Sequence, residues 1–270
     1  MIGYTLDSVK TKPATALHIT TIGKYTALEA LRTRVPGTAL LTLALLVCAS
    51  LFIRELAITE AARFQTGFYA AAARLAAVFL TSIYVLASIT REFNDKGLDV
   101  VLALDVPRTH YICGKLAGFI AAALLIAIIV ALPLWVLAPA TAALFWTASL
   151  MIELALVTAL SLFCVVTFSQ LLPAAGFVAA FYLLARSMTS MRLMGAHPIT
   201  GEGTLSQQIT ATLVESLGYL LPALDQWTAT SWLVDAVPEP VVLLGILLQG
   251  LVYLALLTTA ALFDFHRRSL

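Results

Sequence analysis

Residues 91–115, REFNDKGLDVVLALDVPRTHYICGK, are the one long polar interruption in the first half of a chain otherwise written almost entirely in Ala, Leu, Val and Ile. On its upstream side lies an apolar run over residues 67–90, and on its downstream side another over 114–137. At about 1.5 Å per helical residue each is long enough to cross about 30 Å of hydrocarbon. Further outward the same pattern recurs at 35–52, 143–166, 171–188 and 241–263, which makes six expected spans. The fifth carries Pro173 and Gly176 near its start. The runs are apolar on every side, whereas transmembrane barrel strands alternate, so an all-α integral membrane fold is expected.

Composition agrees. Hydrophobic residues make up 61% and charged residues 11%, with a mean hydropathy of +0.96; soluble domains carry about a quarter charged residues. The whole of 1–270 reads as a single transmembrane domain.

Lys and Arg set the expected orientation, because short cytoplasmic loops retain positive charge. With the N-terminus inside, the cytoplasmic segments hold Lys10, Lys12, Lys24, Arg32, Arg34, Arg91, Lys96, Arg108, Lys115, Arg267 and Arg268, and the outer ones only Arg54, Arg63, Arg186 and Arg192. Both termini and the 91–113 loop are therefore expected in the cytoplasm, in a bacterial inner membrane. No cleavable signal is expected, since the first apolar run begins deep in the chain and is long enough to span. Val47 before Cys48 argues against a lipoprotein site, and Cys48, Cys113 and Cys164 offer neither a disulfide framework nor zinc spacing.

Catalytic motifs are missing. The sequence has no G-x-S-x-G, no H-E-x-x-H and no Walker A, and none of His18, His110, His197 and His266 falls within an expected span. The chain is not expected to be an enzyme by itself or to bind a cofactor or nucleic acid. Transport, scaffolding or assembly remains.

In the 91–113 loop, Glu92, Asp95 and Asp99 fall at i, i+3 and i+7, on one face of a helix that Pro107 ends. A short amphipathic helix held between two spans suits a groove on a partner. In order, the loop shows Glu92, Gly97, Leu102 and Leu104, Pro107-Arg108, and Tyr111-Ile112-Cys113-Gly114-Lys115. With the order and length of the spans, these residues resemble the membrane subunits of ABC-2 type transporters, also called type V ABC exporters. The resemblance implies a cytoplasmic coupling helix docked on a separate ATPase subunit present in two copies, with ATP and Mg held there. It also implies a permease dimer of identical chains, with spans one, two and five lining the path. Glu92, Asp95, Gly97, Asp99, Pro107 and Arg108 are the expected coupling residues.

The N-terminal segment, 1–34, divides into a tail and a basic helix from about Leu17 to Arg34. It mixes Ile19, Ile22, Tyr25, Leu28 and Leu31 with charges and looks like the amphipathic elbow helix that precedes span one in that family. Before the last span, residues 189–240 interleave apolar clusters with Gly218, Pro222, Asp225 and Asp235, as short outer helices would, with Trp227 and Trp232 expected at headgroup depth.

Two charges fall inside spans, where charge is costly and turns toward protein or water. From the outer edge Arg74 lies about 10 Å deep and Glu153 about 15 Å deep. A structural ion pair between them and a contribution to the translocation path both stand. Met188, Met191, Met194 and His197 are ligand types suited to Cu(I), but a spacing of three turns them progressively apart, so no metal is expected. The cargo class that best fits so apolar a chain is lipid-like or amphiphilic. An ion-driven carrier and a non-transporting membrane scaffold are the competing functions; neither an inverted repeat nor a second midplane carboxylate supports the carrier.

Overall fold

A computed structural model describes residues 14–94, 107–196 and 205–267. Asp95, Gly97, Asp99, Leu102 and Leu104 of the expected coupling helix lie outside the described residues, as does His197.

The described chain is helical, with no strand among the described residues. In order come α1 (Ala14–Arg32), α2 (Val35–Leu56), α3 (Ala61–Asn94), α4 (Arg108–Ala131), α5 (Leu134–Leu137), α6 (Ala140–Phe168), α7 (Leu171–Ala196), α8 (Leu205–Leu220), α9 (Ser231–Val234) and α10 (Pro240–Arg267). Six segments are long and apolar enough to cross a membrane: α2, α3, α4 with α5, α6, α7 and α10. This is the build of a multi-pass membrane protein. An even number of crossings puts the start of α2 and the end of α10 on one face of the bundle, the terminal face.

The prolines place the breaks. Pro36 sits in the first turn of α2, where its missing N–H costs nothing. Pro133 withholds the donor that would continue α4, and the chain restarts as α5 along the same crossing. Each crossing is three or more residues longer than the sequence reading at one end or both. Apolar runs stop at the first charge, but a helix continues through Arg54, Glu55 and Arg63 because its backbone hydrogen bonds are internal.

Helix α6 is apolar all round and stands in the middle of the bundle, packed against α10, α4, α3 and α7. Its spanning window is 72% buried, against 11% for α2. Anything polar on α6 is therefore held by protein rather than lipid.

Helix α1 packs through its small residues rather than its large apolar ones. Tyr25, Leu28 and Leu31 face outward, and the buried stripe is Gly23, Thr26 and Ala30. This small-residue stripe crosses α4 at Gly114 and Gly118, a G-x-x-x-G spacing. A Cβ on Gly118 would stand 2.5 Å from Thr26 Cβ and 2.7 Å from the Gly23 carbonyl oxygen, so only glycine permits this approach.

Candidate functional site

Glu153 on α6 is completely buried, about 20 Å along the helix from Ala140. An ionised carboxylate at that depth needs partners, and they come from α7 and from the stretch that precedes α9. Tyr182 Oη of α7 donates to Oε1 at 2.8 Å, and Thr228 Oγ1 donates to Oε2. Arg186, one turn beyond Tyr182, places Nη1 3.8 Å from Oε1.

Thr228 belongs to the non-helical stretch 221–230, which turns back into the bundle between α8 and α9. Leu224, Trp227 and Thr228 are essentially buried there. Non-helical backbone inside a membrane protein must have its polar groups satisfied by protein; turn hydrogen bonds within the stretch satisfy part of them, and two arginines donate to three carbonyls. Arg186 Nη1 donates to the carbonyls of Leu224 and Trp227, the latter at 2.9 Å. Arg74 Nη1 of α3 donates to the carbonyl of Thr228 at 2.9 Å. The Thr228 N–H goes to Ser149 Oγ on α6 at 3.0 Å, and Trp227 Nε1 donates to Gln249 Oε1 on α10 at 3.2 Å. Thr228 holds φ at 46°, a left-handed backbone that a β-branched residue adopts only under constraint. Arg63 with Asp235, and Thr189 with Asp225, pin the rim of the same stretch.

Arg74 and Glu153 are thus brought to one site, but as a bridge rather than a direct pair: both meet Thr228, and the cation facing Glu153 is Arg186. The sequence reading left Arg186 in an outer loop, and it missed Tyr182, Ser149 and Thr228. A signal existed in the pairs Ser149–Glu153 and Tyr182–Arg186, each at i, i+4 on one helix face. Trp227 also departs from expectation, because it is buried among helices instead of standing at headgroup depth. Chemically the cluster is a plug: most of its donors and acceptors hold the stretch 221–230 across the bundle end opposite the terminal face. Of its guanidinium and carboxylate atoms, Arg74 Nε alone is buried with no hydrogen-bond partner among the described residues.

At the terminal face, Glu92 on α3 and Lys115 on α4 form an ion pair of 2.8 Å, with their side chains 20% and 10% exposed. Lys115 Nζ also lies 5.9 Å from the Tyr111 ring centroid, and that ring stacks on Phe265 of α10 at 6.1 Å. Glu92 therefore clasps the two helices that flank the 95–106 segment. Pro107 is exposed and precedes α4, where its carbonyl accepts from the His110 N–H at 2.9 Å. Arg108 begins α4.

Met188 is buried in the core while Met191 is 39% exposed, so these two do not converge on one point. Among the described residues no group of three or more His, Cys, Asp or Glu could hold a metal ion. No family model and no curated protein matches the chain.

Proposed function

We propose that the chain is the permease subunit of an ATP-driven ABC-2 type exporter, working as a homodimer over two copies of a separate ATPase subunit and moving a lipid-like or amphiphilic cargo. The observation that carries this reading is the polar segment between α3 and α4, whose residue order matches the coupling element and whose two flanks are clasped by Glu92 and Lys115. A docked helix whose base is tied to two spans transmits a push from its partner to both of them, the kind of differential contact that couples two bodies. The terminal face is then cytoplasmic and α1 serves as the elbow helix. At the far end the Glu153–Thr228 plug closes the bundle until α3, α6 and α7 shift against one another.

An ion-driven carrier is the second reading, and the buried carboxylate of Glu153 is what favours it. Both carboxylate oxygens are engaged and a cation faces them, a set of partners that supports a fixed seal better than a titrating carrier.

The test is a mild-detergent pull-down of the tagged chain from its native membrane, repeated with Asp95→Lys plus Asp99→Lys. Glu92 is left intact because its substitution would break the clasp. Co-purification of an ATPase that the double variant loses supports the permease. Absence of any ATPase across several detergents sinks it.

A further inference from the structure

Between α1, the start of α2 and the terminal half of α3 lies a cavity of about 520 Å³ that plays no part in the plug or the clasp. Its rim carries Arg34 and Arg91 with one acid, Glu29, and its deeper wall is Leu80, Ile83 and Tyr84. Lys115, near Arg91 on the same face, is neutralised by Glu92. Arg34 and Arg91 are exposed and have no ion pair among the described residues. The cavity thus keeps a surplus of positive charge at its mouth. Thr33, Thr38 and Ser88 also line the cavity.

Depth gives the shape of what fits. Arg91 follows the last residue of the apolar run 67–90 and Arg34 precedes α2, so both stand at headgroup level. Ile83 and Leu80 lie about 12 and about 16 Å deeper along α3. A ligand filling the cavity therefore meets two guanidiniums at one end and hydrocarbon at the other. Guanidinium forks suit phosphate and carboxylate oxygens, and the volume falls within the ordinary range for small-ligand sites.

The geometry points to a binding site for an anionic amphiphile, a single phosphate-type headgroup on an alkyl chain, taken from the leaflet on the terminal side. This site stands whether or not an ATPase docks on the chain.

The test uses the full chain, purified and delipidated, with native mass spectrometry counting retained lipid after addition of phosphatidylglycerol, phosphatidylcholine or inorganic phosphate. The expected result is one phosphatidylglycerol per chain, preferred over phosphatidylcholine by roughly ten- to thirty-fold, as two arginines near a headgroup would give. Arg34→Gln with Arg91→Gln should abolish the preference. Ile83→Trp, which fills the cavity and leaves the charge unchanged, should abolish retention. Lys24→Gln with Arg267→Gln, exposed cations outside the cavity, should change neither. Equal loss in that control pair would show diffuse surface charge and overturn the site, as would a preference that survives both cavity variants. Inorganic phosphate that displaces the lipid at equal concentration would overturn the amphiphile and leave only an anion site.

Discussion

A single carboxylate illustrates how far residue identity carries. Glu153 and Arg74 are legible because they are charges in apolar runs. Arg186 is not, because the sequence reading ends that span at 188 and counts Arg186 with the outer segments, whereas the helix runs on to Ala196. Thr228 is not either, since its hydroxyl meets Glu153 across 75 residues of chain, and no local pattern encodes that distance. The arrangement predicts strong coupling between Glu153 and Arg186. Glu153→Gln should cost about 1–3 kcal/mol, because an amide replaces one charge-assisted acceptor. Arg186→Met should cost about 3–5 kcal/mol, because it strands a fully buried carboxylate and frees the carbonyls of Leu224 and Trp227. The double variant should fall short of the sum by about 1–3 kcal/mol. Chemical unfolding in mild detergent measures the three values, and simple additivity would show that the two charges do not sense each other.

Among the elements, the six crossings are legible in outline because composition alone demands them; their ends are not, since helices run on through polar residues. The crossing of α1 on α4 escaped notice for another reason. Apolar periodicity looks for large side chains, and this contact is made by Gly23, Gly114, Gly118 and Thr26, which have little to count. Its tightness predicts a graded series. Gly118→Ala drives a Cβ against the Gly23 carbonyl at 2.7 Å, where backbone must give way, and should cost about 1–3 kcal/mol as other overpacked contacts do. Gly23→Ala meets the Gly114 carbonyl at 3.3 Å and should cost less. Gly37→Ala meets nothing within 4 Å and should be neutral or stabilise by up to about 1 kcal/mol from helix propensity. Thermal midpoints in one detergent rank the three. The same midpoint for Gly118→Ala and Gly37→Ala would mean that α1 does not sit on α4 in the membrane.

For the molecule as a whole, the uneven cover of the spans is the feature to explain. The spanning windows of α2, α10 and α7 are 11%, 17% and 28% buried. In hydrocarbon an exposed apolar face carries no penalty, so this alone does not call for a partner. The proposed exporter does, because its path runs between two copies along spans one, two and five. Helices α2 and α7 both start at the terminal face. Cys48 on α2 and Leu183 on α7 are exposed, about 20 and about 18 Å from that face. They are therefore level in the membrane. In a chain carrying Cys113→Ser and Cys164→Ala, adding Leu183→Cys should allow a short bifunctional thiol reagent to join two copies through Cys48 in native membranes, doubling the mass on a denaturing gel. Leu248→Cys on α10 is as exposed, at 56%, but lies outside the proposed interface and should leave the chain single. If both positions cross-link equally, the contact is random collision. If neither does, the chain works without a second copy along α2 and α7, and the path must run through one bundle, where the plug of 221–230 already fills the end opposite the terminal face.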